Sequence, residues 1–249
     1  MRHYTIAEIK GSYEQKRDWE KQFPVSRYIF RPASFVVAAL VSRLTNSAPA
    51  VAWTGLGTGL AASWLLLNSG TYGFWPGIAG LALFALLDAV DGNLARATKS
   101  VSLYGKMLDG MLGRLAEGIY MPALACGLYM AGGAAASWVV VAAGFSSLCA
   151  MLYSGIIETT YDNLKLQKAA SPAIDINARI GSSSFRGNLF YAVFINLNAF
   201  NVQVLLLAAA SAFGGAGAAF FVYSLALYYL LRLAVVFVYY MSKAAAELR

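Results

Sequence analysis

Long apolar runs divide this chain, and they decide the solvent in which it folds. Stretches near 50–68, 74–87, 115–131, 134–160, 187–211 and 217–241 are apolar, and each approaches or exceeds the ~20 residues a helix needs to cross ~30 Å of hydrocarbon. Hydrophobic residues make up 59% of the chain and charged residues only 12%, against roughly a quarter charged in an ordinary soluble domain. The expected fold class is therefore an all-α integral membrane protein, with six transmembrane helices preceded by an interfacial amphipathic helix.

The charges fall on one side of this scheme. If the N-terminus is cytoplasmic, so are 96–114 (Arg96, Lys99, Lys106, Arg114), 162–186 (Lys165, Lys168, Arg179, Arg186) and 243–249 (Lys243, Arg249). The opposite loops near 69–73, 131–134 and 212–216 carry no charge. This is the positive-inside asymmetry, and it predicts a multi-pass protein with both termini cytoplasmic. The formal charge of +7 then reads as orientation and contact with anionic membrane lipids, with no nucleic acid as partner. Met1–Arg31 is dense in charge and has no apolar core before a small-residue cleavage site, so no secretory signal is expected. Cys126 and Cys149 lie in apolar runs without CxxC spacing, which argues against a disulfide framework or a zinc site. His3 is the only histidine, which excludes mechanisms built on a histidine base.

Two regions are expected: residues 1–46, a cytoplasmic or interfacial helical segment, and 47–249, the six-helix membrane domain. The first mixes charges with Trp19, Phe23, Tyr28 and Phe30, has an apolar run Phe35–Val41 too short to span, and is interrupted by Pro24 and Pro32. Gly55, Gly57 and Gly59 in the first span, and Gly73, Gly77 and Gly80 in the second, suit close helix packing. No strand precedes them, as a nucleotide-binding glycine loop requires. Asn196, Asn198, Asn201 and Gln203 interrupt the fifth apolar run, a cluster able to break or hydrate that helix.

Carboxylates at the edge of a membrane span call for a function by default. The second span ends Leu-Leu-Asp88-Ala-Val-Asp91-Gly92-Asn-Leu-Ala95-Arg96, and the third begins Gly105-Lys-Met-Leu-Asp109-Gly-Met-Leu-Gly113-Arg114. Asp88, Asp91 and Ala95 share one helix face by their i, i+3, i+7 spacing, and Asp109 starts the neighbouring helix at the same edge. Three carboxylates meeting at one point repel and take up protons unless a cation resolves them. Oxygen ligands without Cys or His select a hard metal, and a hard metal at a cytoplasmic edge suits phosphoryl chemistry on a diphosphate. Gly92 and Ala95 leave room on this face for a ligand. The plainer alternative is a set of solvated helix ends paired with Arg96, Lys99 and Arg114.

The pattern Asp88-x2-Asp91-Gly92-x2-Ala95-Arg96-x8-Gly105-x3-Asp109 resembles the signature of the CDP-alcohol phosphotransferases and matches every fixed position but the last. The six-span topology and interfacial N-terminal helix look like that family over nearly the whole chain. The resemblance implies that Asp88, Asp91 and Asp109 bind Mg²⁺ or Mn²⁺, in a dinuclear site. It implies that Asp88, Gly92, Ala95, Arg96 and Gly105 hold the CDP nucleotide, and that the protein is a homodimer. It further implies a transferase of phospholipid biosynthesis with its active site at the cytoplasmic face. An alcohol acceptor attacks the phosphate of a CDP-linked donor, transferring a substituted phosphate, here a phosphatidyl group, and releasing CMP.

Gly113 stands where the family carries its fourth aspartate, the one thought to activate the attacking hydroxyl. Three accounts stay open. Glu117, one turn further along the third helix, replaces the missing base alongside Asp109; or the acceptor arrives ionised, or water serves through another base; or the chain is a catalytically impaired member that binds nucleotide and metal without normal turnover. Glu117 could instead pair with Arg114 or Arg232. Arg114, Arg186 and Arg232 are candidates for a phosphate on the acceptor or the lipid, because a guanidinium fork matches phosphate oxygens. A transporter would carry its polar residues towards the bilayer midplane, whereas here they cluster at one edge.

Overall fold

The computed structural model describes residues 2–13, 19–133, 136–170 and 194–247, with side chains of 167–170 excepted. Among the described residues every regular element is helical. Helix α1 spans Ile6–Ser12 and α2 spans Arg31–Val41. Between them run a short 3₁₀ turn, Trp19–Gln22, and a π-helical turn, Ser26–Phe30. Thr5 starts α1 with a reciprocal cap, its hydroxyl accepting from the Glu8 amide while the Glu8 carboxylate takes the Thr5 amide. Pro32 sits in the first turn of α2, where its missing N–H costs nothing.

The membrane body follows as α3 (Ala48–Leu67), the single turn α4 (Ser69–Tyr72), α5 (Trp75–Ala97), α6 (Leu103–Ala131), α7 (Trp138–Ala170), α8 (Phe200–Ser211) and α9 (Gly214–Glu247). Four of these, α3, α5, α7 as far as Leu166, and α9, are long and apolar enough to cross a membrane, and the chain is an integral membrane protein. Among the described residues the expected count of six spans is not confirmed. The third expected span lies within α6, whose first half carries Lys106, Asp109, Arg114 and Glu117; those charges separate it from the four. Of the fifth expected run, the portion before 194 lies outside the described residues, and α8 provides only 12 residues.

Helix α3 packs along α5 and α6, α6 along α7, and α7 along α9, while α8 fills the gap between α5 and α9. Small residues permit close crossings: a Cβ on Gly80 would lie 2.7 Å from that of Ala62, and one on Gly59 2.8 Å from that of Ala116. Phe200, at the start of α8, stacks edge-on against Phe84 at 5.3 Å and Tyr120 at 5.6 Å. Gln203 satisfies the polar tips of this core. It accepts from the Tyr120 hydroxyl at 2.7 Å and donates to the Tyr229 hydroxyl at 2.8 Å. The asparagine-rich run thus breaks the helix ahead of Phe200, and Asn196 donates to the Gln22 carbonyl at 2.8 Å.

The N-terminal helices lie against α5. Ile9, Tyr13, Phe35 and Ala38 bury themselves with Val51, Val90 and Leu94 in a second, smaller apolar cluster, which sits directly behind the aspartate-bearing end of α5.

Candidate active site

The aspartate motif is built on two helix ends joined by a five-residue connection, 98–102. Helix α5 continues through Asp88, Asp91 and Arg96 to Ala97. The chain then turns through Lys99 in a left-handed conformation, φ 56°. Ser102 restarts it, its hydroxyl accepting from the Gly105 amide at 3.0 Å. A serine at this position relieves one of the orphan donors of a helix start, and it fixes where Gly105 and Asp109 face α5.

The two ends enclose a cavity of about 260 Å³. Asp88, Asp91 and Asp109 line it, together with Gly92, Ala95, Arg96 and Gly105. Every residue matched in the sequence motif therefore borders one space. Asp91 is buried, with 6% of its surface exposed, while Asp88 and Asp109 are exposed, and the charges of both act on Asp91. Arg96 folds back over Gly92, where a Cβ would come within 3.4 Å of its Nη1.

Arg96 does not stand alone. Its Nη2 donates to Asn93 Oδ1 at 2.7 Å, and the same oxygen accepts from Arg31 Nη1 at 3.2 Å. Asn93 in turn donates to the Ser34 hydroxyl at 2.8 Å. Arg31 Nε donates to Glu20 at 3.1 Å, and its Nη2 makes a second bond to the same carboxylate. The Tyr13 hydroxyl also donates to Glu20, and the Tyr13 ring lies under Arg31, 4.8 Å from centroid to guanidinium carbon. Burial, then the Glu20 carboxylate, pushes the Tyr13 phenol up to about 12. This clasp ties the N-terminal segment to the motif helix. Nothing in the linear pattern singled out Glu20, Asn93 or Tyr13. The one available signal was a carboxylate, Glu20, eleven residues before an arginine in an aromatic-rich segment.

Gly113 faces the aspartates. Its Cβ would lie 3.9 Å from Asp88 Oδ1. A gap of about 10 Å³ lies between it and Asp88, Asp91 and Asp109, near the size of one water. Glu117, one turn on, does not border the motif cavity; it lines a second cavity that also reaches Asp88.

The basic candidates separate. Arg114 lies over Gly155, where a Cβ would come within 2.9 Å of its Nη1, and its charge acts on Glu117. Arg232 is buried, and its Nη2 donates to Glu158 Oε1 at 2.8 Å. The pairing of Arg232 with Glu117, one alternative raised by the sequence, is thus replaced by a pair with Glu158 of α7, which the sequence reading had not considered. Arg232 Nη1 is buried with no partner among the described residues. Arg186 lies outside the described residues, as does Arg179.

Among the described residues no group of three His, Cys, Asp or Glu side chains converges tightly enough to hold a metal ion. The donor chemistry still fits a hard divalent cation. Asp88, Asp91 and Asp109 offer only carboxylate oxygens to one cavity, and ligation asks them to draw together by side-chain rotation. No curated protein matches the chain. A family model does: that of CDP-alcohol phosphatidyltransferase, over residues 45–246.

Proposed function

Because the chain belongs to the CDP-alcohol phosphatidyltransferase family, we propose that it transfers a phosphatidyl group from a CDP-linked donor to an alcohol in phospholipid synthesis, with the nucleotide seated in the cavity between α5 and α6. The observation that carries this reading is that one cavity is bordered by all seven motif residues, from Asp88 to Asp109. Gly92, Ala95 and Gly105 give the nucleotide a close approach to backbone. Arg96, held by Asn93, directs positive charge to the diphosphate.

Members of the family use divalent metal ions. Asp88, Asp91 and Asp109 are the residues to hold Mg²⁺ or Mn²⁺ in this chain, and the ion supplies Lewis acidity to the diphosphate and charge stabilisation to the departing CMP. The acceptor hydroxyl attacks the phosphorus on the lipid side. The new oxygen–phosphorus bond forms as the bond to the CMP oxygen breaks, and the hydroxyl proton passes to Glu117. Glu117 is assigned this task because it lies beside Asp88 and one turn beyond the glycine at the family's fourth aspartate position. Arg114 and Arg232 border neither cavity wall; they are assigned to the lipid phosphate, with Arg232 Nη1, which has no partner among the described residues, as the donor to offer it.

Orientation follows from charge, with both termini and the motif edge cytoplasmic and α1 and α2 lying in the interface. The protein works as a homodimer, on family grounds. A second reading, an impaired member that binds CDP and metal with little turnover, is favoured by Gly113 alone.

The direct test is nucleotide binding. The parent binds CDP more tightly with Mg²⁺ than with EDTA, and Asp91→Asn loses that difference, about tenfold or more in Kd. Equal affinity for CDP with and without metal in both proteins contradicts the site assignment.

A further inference from the structure

Arg96 is the arginine of the motif, and it borders the cavity between α5 and α6. Its Nε is buried with no partner among the described residues, a donor that a ligand can satisfy. A long side chain loses rotamer freedom when it is fixed, so whatever holds Arg96 before the ligand arrives lowers the cost of binding. The anchor is Asn93 Oδ1, which accepts from Arg96 Nη2 at 2.7 Å. Asn93 occupies one of the two positions that the pattern leaves open between Gly92 and Ala95.

The Asn93 carboxamide is fully buried, and α2 holds it at both ends. The Ser34 hydroxyl gives its own proton to the Arg31 carbonyl at 2.8 Å, which leaves its oxygen to accept from Asn93 Nδ2, also at 2.8 Å. At the other end Oδ1 accepts from Arg31 Nη1 at 3.2 Å. These bonds settle which end of the amide faces Arg96. Turned over, its NH₂ group would meet two guanidinium groups, donor against donor. Two guanidinium groups on one oxygen also repel, and the Glu20 carboxylate bound to Arg31 balances one of them. The Tyr13 ring faces both, with centroid distances of 4.8 Å to Arg31 and 5.7 Å to Arg96.

From this we infer that α2 is a working part of the nucleotide site: Ser34 and Arg31 orient the Asn93 carboxamide, and Asn93 is the positioning residue that aims Arg96 at the diphosphate. Docking of the N-terminal segment is then a condition for tight nucleotide binding as well as for stability. The inference rests on the transferase reading for the nucleotide as ligand.

The test uses the full chain purified in detergent, with CDP and Mg²⁺ as the probe and calorimetric titration as the readout. Arg96→Gln weakens CDP binding by about tenfold or more. Asn93→Leu, which keeps the volume and removes the acceptor, weakens it by about fivefold or more, and Ser34→Ala, which frees the amide to turn over, by about twofold or more. Either substitution costs less than about a further 1.5-fold once residue 96 is already glutamine, because nothing is left to position. A residue that only supports the fold costs the same factor in both backgrounds. Should Asn93→Leu fail to fold, the reciprocal effect decides without it. Saturating CDP and Mg²⁺ slow amide hydrogen exchange in α2 of the parent and leave it unchanged in Arg96→Gln at its own saturating concentration. Undiminished losses in the Arg96→Gln background, parent-like CDP affinity in Asn93→Leu, or exchange in α2 of the parent that is indifferent to CDP overturns the inference while the transferase reading stands. A parent that binds no CDP overturns both.

Discussion

Asp88 borders both cavities, while Glu117 borders only the second, and substitutions at the two should therefore fail differently. Glu117→Gln keeps the volume and removes the proposed base, so CMP release falls by about 10²–10⁴-fold, the range of general-base assistance, with CDP affinity unchanged. Asp88→Asn loses turnover and metal-dependent nucleotide affinity together. If Glu117→Gln turns over like the parent, the proton leaves by another route, and Gly113 with its adjoining gap becomes the place to look. The motif aspartates were legible in the sequence because helical spacing alone puts Asp88 and Asp91 on one face, and Asp109 follows at the next helix start. The partner of Arg232 was not. Glu158 is 74 residues away, and a pair between α7 and α9 depends on which helices end up adjacent, information the spacing of charges along one helix does not contain. The clasp through Tyr13, Glu20, Arg31 and Asn93 escaped for the same reason, since each bond joins residues that only the docking of the N-terminal segment brings together.

At the scale of elements, two contacts fix the site. The first is the crossing of α3 and α5, where a Cβ at Gly80 would press on Ala62 at 2.7 Å from its Cβ and 3.3 Å from its Cα. Gly80→Leu there overpacks a backbone contact and destabilises the protein by about 1–3 kcal/mol, read as a lower unfolding temperature in detergent; an unchanged temperature means that the helices part without cost. The second is the docking of α1 and α2 on the end of α5. Tyr13 is held protonated in the folded protein, its phenol raised to about 12 from the ordinary value of about 10. A raised value means that the folded state binds the proton more tightly. The contribution is complete below about pH 10 and is lost as pH rises towards about 12. The unfolding temperature of the parent therefore declines with pH across that window, and Tyr13→Phe lacks this component; identical slopes would remove Tyr13 from the clasp. The existence of most helices was readable from apolar runs, and the start of α6 nearly so: the sequence reading begins that helix at Gly105, and the Ser102 cap sets its first residue at Leu103.

For the whole molecule, the uneven placement of Lys and Arg gives a topology that labelling can check. With Cys126 and Cys149 replaced, a single cysteine at Ser100, beside the motif, reacts with an impermeant reagent only from the cytoplasmic side. One at Thr71, in the turn between α3 and α5, reacts only from the opposite side. Reaction of both from the same side breaks the orientation. The all-helical membrane fold was legible because apolar length alone demands it, while the number of spans was not, since α6 combines a charged half with an apolar half and composition does not say how much of it lies in lipid. The central claim, that this arrangement transfers a phosphatidyl group, is tested most directly by CMP release from CDP-diacylglycerol in mixed micelles with Mg²⁺, an EDTA control and a panel of polar alcohol acceptors. The account predicts CMP release that requires both metal and an acceptor and that falls with Glu117→Gln. No release from the parent under any of these conditions, with release restored by Gly113→Asp, contradicts it and leaves a nucleotide-binding protein on a transferase scaffold.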